Sequence, residues 1–175
     1  FFEEGGRITR DDVHYVREGD TLVPAAETPF AQDATFGYRN SNLRQWVAEK
    51  TGGKMPADAV ISLTLNELQN PDPQPLTDKI AALANGDIVI VNAECWQDLV
   101  PLARAVQALP QKRFLFRTAA SWVKAVKHVA DGRGNLRPVV FSKKLPETPR
   151  TGGLVVVGSY VPKTTQQLAE LLRDN

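Results

Sequence analysis

Four short stretches of this sequence place polar side chains where an apolar run stops and a helical pattern begins: Asn66-Glu67, Asn92-Ala93-Glu94, Arg117-Thr118 and Gly158-Ser159. If the apolar runs are parallel strands, these are their carboxyl ends, where open sheets bind ligands. Asn92 and Glu94 present an amide and a carboxylate there. Arg117, with Thr118 beside it, suits a carboxylate or phosphate, because a guanidinium is a permanent cation with a fork of donors. Gly158-Ser159 follows a valine-rich run. Its glycine permits close backbone approach, and the next helix offers free amides to an anion. Ser159, Lys163, Thr164 and Thr165 add hydroxyls and a cation. The spacing is neither that of a P-loop nor G-x-G-x-x-G. Each stretch also has a structural reading: Asn66, Asn92 and Thr118 as helix caps, Glu67 and Glu94 as first-turn acids favoured by the helix dipole, and Arg117 as half of a surface ion pair.

Other reactive residue types are sparse. His14 falls in a hairpin pattern and His128 in a helical one, and both read as structural. Cys95 reads as a half-buried thiol. No His, Cys and carboxylate cluster has metal-ligand spacing, and no G-x-S-x-G nucleophile elbow occurs.

The elements that must position these groups follow from periodicity. Val13–Arg17 and Leu22–Pro24 flank Glu18-Gly19-Asp20-Thr21 as a hairpin. Residues 27–39 form a polar loop. Ser41 caps a helix carrying Leu43, Trp46 and Val47, which Gly52-Gly53 ends. A strand spans Val60–Leu65, a helix carries Leu76, Ile80 and Leu83, and Ile88–Val91 is a β-branched strand covered on both faces. A helix with Leu99, Leu102, Ala103 and Val106 comes next, then a strand Arg113–Phe116 and a helix from about Ala119 with Trp122, Val126 and Val129. Residues 132–153 read as a linker or mobile loop. Leu154–Val157 is a last strand, and Thr164–Arg173 a helix with Leu168, Leu171 and Leu172 inward. Strands alternating with helices imply right-handed parallel crossovers. The expected fold is α/β: an open three-layer, mostly parallel sheet with helices on both faces, preceded by a β-hairpin.

Composition narrows the function classes. Among 175 residues, 42% are hydrophobic and 23% charged, which is globular rather than disordered. The 21 basic and 20 acidic residues leave a net charge of +1. With no basic block, nucleic-acid and membrane-surface binders are disfavoured. The single cysteine excludes an internal disulfide and fits a reducing, cytoplasmic setting. No apolar run approaches the ~18 residues of a membrane span. The chain begins Phe1-Phe2-Glu3-Glu4, as expected of a segment that starts inside a longer polypeptide.

Several of these stretches together resemble a known family. Gly6-Arg7-Ile8-Thr9, Val13-His14-Tyr15-Val16 and Glu27-Thr28-Pro29-Phe30-Ala31-Gln32-Asp33 resemble the middle of the four-carbon acid sugar kinases. Val91-Asn92-Ala93-Glu94 and the run from Phe114 to Ser121 do so as well. The run from Val155 through Gly158-Ser159 to Leu168 is similar to the start of that family's nucleotide-binding domain. The resemblance implies a two-domain enzyme that phosphorylates small sugar acids, such as threonate or erythronate, with ATP and Mg2+. Residues 1–131 would be the latter part of the sugar-acid domain, 132–153 a linker, and 154–175 the first strand and helix of the nucleotide domain. Arg117 with Thr118, then Arg7, would hold the acid group, and Asn92 and Glu94 the hydroxyls. Gly158, Ser159, Lys163 and Thr164 would face the ATP phosphates. The family's Asp-Asp motif and catalytic base would precede Phe1, leaving this chain alone inactive. The alternative is a non-catalytic domain for small anions or for protein interaction.

Overall fold

The computed structural model describes residues 1–131, 156–158 and 162–173. The chain divides into two compact units, Phe1–Arg137 and Pro138–Asn175.

The first unit opens with three antiparallel strands, β1 (Arg7–Arg10), β2 (Val13–Glu18) and β3 (Thr21–Pro24), in the order β1-β2-β3. Both connections are two-residue turns. Gly19-Asp20 makes the second, with glycine at φ 61°. Asp11-Asp12 makes the first, both aspartates taking positive φ (49° and 63°), the twist that a tight hairpin requires. Strand β1 was not expected from periodicity, because four residues are too few to show one.

The β/α part follows. Helix α1 (Leu43–Lys50) is capped by Asn42, whose side chain accepts from the Arg44 and Gln45 amides. Ser41, the expected cap, instead accepts the Ala26 N–H at 2.8 Å and ties the preceding loop down. Strand β4 (Ile61–Leu63) leads to the short helix α2 (Leu65–Leu68), closed by a Thr64/Glu67 capping box. The Asn66-Glu67 strand end is therefore a helical turn, and Thr64 is its cap. Helix α3 (Gln74–Ala82), strand β5 (Val89–Val91), helix α4 (Leu99–Gln107) and helix α5 (Ala120–Asp131) complete this unit.

Strands β4 and β5 pair in parallel, with Ile61 opposite Val89 and Leu63 opposite Val91. Successive residues of a strand face opposite layers. Val89 and Val91 accordingly pack on a core of Leu63, Leu68, Leu76, Ile80, Leu99 and Leu102, supplied by β4, α2, α3 and α4. Ile90 packs with Val47 and Val60 on the α1 side. Helices thus cover both faces of a parallel sheet, with the antiparallel hairpin sheet set before it.

Two expected features differ. Residues 113–119 run without regular structure between α4 and α5 and join no ladder. Phe114 packs on the core and Phe116 stacks 4.6 Å from the Trp122 ring, but Leu115 is fully exposed. The segment alternates as a strand does, yet no described strand lies beside it to bond with. On α5 the buried face is Ser121, Trp122 and Ala125, and Val126 is exposed.

In the second unit, Val156–Gly158 carry no regular structure and α6 spans Pro162–Arg173. Leu171 and Leu172 are exposed rather than inward. The expected linker, Leu154, Val155 and Ser159 lie outside the described residues, as does the side chain of Lys163. Among the described residues no helix is long and apolar enough to cross a membrane.

Candidate functional site

The hairpin sheet meets the parallel sheet at the carboxyl end of β5. Thr9 and Ala93 exchange backbone hydrogen bonds of 3.0 and 2.9 Å, which carries the chain of β1 across that end. The polar residues gathered there separate into two groups.

The first group is closed. Asn92 is only 2% exposed. Its side-chain NH2 donates to Asp12 Oδ1 at 2.9 Å, Ser62 Oγ at 3.1 Å and the Leu63 carbonyl at 2.9 Å. Its carbonyl oxygen accepts the Asp12 N–H at 2.8 Å. Ser62 Oγ donates to the same Asp12 carboxylate at 2.5 Å. Every polar atom of the Asn92 side chain is spent inside the protein, so it fastens the Asp11-Asp12 turn to both parallel strands and has none left for a ligand hydroxyl. Glu94 is likewise occupied. Arg10 holds its two oxygens in a bidentate pair, 2.5 and 2.6 Å long, at the surface. That hydrogen bonding keeps the Glu94 carboxyl below its usual range. Four residues on, the Asp98 carboxylate accepts the Glu94 and Cys95 amides and the Gln69 side chain. Burial pushes its pKa up, but these donors outweigh burial and hold it low.

The second group is open. Arg7, Arg117 and Thr118 line one cavity of about 1190 Å³, together with His14, Tyr38, Asn40 and Trp46. Arg7 lies over the Phe30 ring at 4.5 Å and Arg117 over the Trp46 ring at 4.7 Å. Such stacking fixes the plane of a guanidinium and leaves its N–H edge outward. Neither forms an ion pair with a carboxylate of the described residues, although Arg10 and Lys79 each do. His14 hydrogen-bonds through Nδ1 to Thr9 Oγ1 at 3.0 Å. Burial above all, with the positive charge of Arg7 nearby, lowers its pKa to about 4, so it is neutral at pH 7. The Tyr38 hydroxyl donates to the Ala25 carbonyl at 3.3 Å, and burial raises its pKa. Charged lining residues are Arg7, Lys112, Arg113 and Arg117 against Asp87 alone. Four cations against one carboxylate give the lining a positive balance, which favours anions.

The structure therefore brings together Arg7, Arg117 and Thr118 and sets Asn92 and Glu94 apart from them. Sequence reading missed Asp12, Ser62, Tyr38, Asn40 and Trp46. For Asp12 a signal existed: two aspartates between β-patterned runs are turn residues, and a turn at a sheet end is a place to fasten it. Trp46 carried none, since an aromatic on the apolar face of a helix reads as core.

Of the residues expected to face ATP, Gly158 and Thr164 have described surroundings. A Cβ built on Gly158 meets nothing within 4 Å among the described residues. Among the described residues, no group of three or more His, Cys, Asp or Glu side chains could hold a metal ion.

No curated protein and no solved structure matches the chain. A family model described as a sugar-binding N-terminal domain matches residues 1–126, which includes both sheets, α1 to α4 and the whole lining of the cavity. This chain belongs to the family of sugar-binding N-terminal domains.

Proposed function

We propose that this domain binds a small sugar acid at the polar end of the Arg7–Arg117 cavity and serves as the substrate half of an ATP-dependent sugar-acid kinase. One observation carries the reading. In a sugar-binding family, two aromatic-stacked guanidiniums with no carboxylate partner face one cavity. A sugar acid supplies the missing carboxylate and brings hydroxyls for Thr118, Asn40 and Tyr38. Apolar sugar faces suit the Trp46 ring.

The four-carbon acids threonate and erythronate are the proposed substrates, and phosphoryl transfer from ATP with Mg2+ the proposed reaction. This rests on the resemblance of the motifs that run from Gly6 to Leu168. Gly158, Ser159, Lys163 and Thr164 would face the ATP phosphates. Calorimetric titration of the chain with threonate, erythronate and the uncharged tetritol erythritol tests the binding reading. Binding of the acids, weakened about tenfold or more by Arg117→Ala, is expected, since a hydrogen bond to a charged group contributes about 1.5–3 kcal/mol. Equal binding of erythritol and the acids would overturn it. ATP consumption by a longer form of the protein, dependent on a sugar acid, tests the kinase reading.

A further inference from the structure

The loop that carries Tyr38 and Asn40 to the cavity is built rather than loose. The Asp33 carboxylate accepts the Thr35 and Phe36 amides at 2.8 and 2.7 Å, which turns the chain. The Gly37 and Tyr38 amides then donate to the Asp33 and Ala31 carbonyls at 2.8 and 3.0 Å. A Cβ at Gly37 would strike those same two carbonyl oxygens, so the chain crosses itself at a residue with no side chain. The last turn of α1 grips the loop from outside. Lys50 donates to the Phe36 and Gly37 carbonyls, and both Glu49 oxygens accept the Arg39 N–H at 3.1 Å. These contacts with the main chain set where the loop lies.

One further contact does something different. Glu49 Oε2 accepts the side-chain NH2 of Asn40 at 2.6 Å. Burial pushes the Glu49 carboxyl up, but the Asn40 and Arg39 donors outweigh burial and hold it below its usual range. At neutral pH this carboxylate only accepts, so it can face the amino prong of the amide and not the carbonyl prong. A free asparagine offers a ligand either prong by turning its amide over. Glu49 removes that choice. Asn40, which lines the cavity with Arg7, Tyr38 and Arg117, has its carbonyl oxygen left to offer.

Its neutral neighbours are spent in the same sense. The Tyr38 hydroxyl donates to the Ala25 carbonyl at 3.3 Å and the Thr118 hydroxyl to the Ala119 carbonyl at 3.2 Å, and each oxygen keeps its lone pairs. The guanidiniums of Arg7 and Arg117 can only donate. A ligand must therefore match two polarities. Its anionic group meets the arginines, and whatever meets Asn40 must give a proton in return. A hydroxyl can do so. An oxo group, which only accepts, sets one carbonyl against another.

We propose that Glu49 is a positioning residue that holds the Asn40 amide with its carbonyl oxygen toward the ligand, so that the site selects hydroxy acids over the corresponding oxo acids. The proposal rests on the sugar-acid reading and names the oxidation state that this reading leaves open.

The test compares ligands before it alters the protein. Threonate, and analogues in which a carbonyl replaces one hydroxyl at a time, are titrated calorimetrically into the unaltered chain. At least one analogue is expected to bind at least about tenfold more weakly than threonate, because it leaves Asn40 unpaired. Glu49→Gln keeps the shape but faces Asn40 with an amide that both donates and accepts, so Asn40 can turn over. Discrimination should then fall to within about threefold, with a thermal midpoint close to that of the parent. In an Asn40→Ala background, Glu49→Gln should change no affinity by more than about 1.5-fold, since its effect runs through Asn40.

Threonate and every oxo analogue binding alike in the unaltered chain would overturn the proposal and leave the sugar-acid reading standing. Full discrimination kept in Glu49→Gln would do the same, as would an effect of that substitution that persists without Asn40. An unfolded Glu49→Gln would assign Glu49 to the stability of the loop and overturn its positioning role. Failure of threonate to bind at all would overturn the sugar-acid reading, and this proposal with it.

Discussion

The carboxyl end of β5 holds two sets of polar side chains that differ in what their atoms are doing. In the Asp12–Ser62–Asn92 knot, every donor and acceptor of Asn92 is met within the protein. Around the neighbouring cavity, Arg7 and Arg117 are held in place by aromatic rings while their charges have no carboxylate partner among the described residues. A fully satisfied buried amide is a fastening. An oriented cation without a counter-ion is an offer to a ligand. Residue type at a strand end does not separate the two cases, but hydrogen-bond satisfaction does.

The contrast can be broken by substitutions that should fall on opposite sides of it. Asn92→Leu removes four hydrogen bonds, leaves the Asp12 N–H without its acceptor and leaves Ser62 as the side-chain donor to the Asp12 carboxylate. It should cost about 3 kcal/mol of stability by urea unfolding. Affinity for threonate under folding conditions should change less than about twofold. Arg117→Ala and Arg7→Ala should do the reverse, weakening threonate binding by about ten- to a hundredfold, or roughly 1.4–2.8 kcal/mol, with a thermal midpoint close to that of the parent. If Asn92→Leu abolished binding in a folded protein, or the arginine variants unfolded, the division would be wrong.

A smaller effect sharpens the comparison through pH. The folded pKa of His14, about 4, lies below its ordinary value near 6.5. The folded state resists a proton that the unfolded chain takes up, so stability is lost as pH falls from about 6.5 to about 4. For a group not wholly buried the loss should be on the order of 1–2 kcal/mol. His14→Asn should flatten that part of the stability-pH curve relative to the parent. Smallest of all, Arg10→Ala breaks an exposed pair and should leave the urea midpoint almost unmoved, with what change there is vanishing in high salt.

How much of this was legible in the sequence depended on the range of the information. The βα alternation was plain, because β-branched runs such as Ile88–Val91 and helix faces such as Leu99–Val106 carry their periods locally. Arg117 stood out for a local reason as well, as a cation at the end of an apolar run. The role of Asn92 was not legible, because its partners lie 80 and 30 residues away. Segment 113–119 has the alternation of a strand but no neighbouring strand among the described residues, and pairing is a property of two segments rather than one. The cap of α1 fell one residue from its expected position because Ser41 and Asn42 are both capping types, and only the loop that needs Ser41 decides between them.

The Asp11-Asp12 turn has a consequence for how the molecule assembles. The hairpin it closes is local in sequence and can form on its own in microseconds. The knot that fastens it joins residues 12, 62 and 92, and so cannot close until β4 and β5 have found each other. Closure is thus a late event in folding. An interaction made late holds the native state chiefly by slowing its escape. One buried asparagine thereby acts less as a guide to the fold than as the latch that keeps the completed fold from reopening.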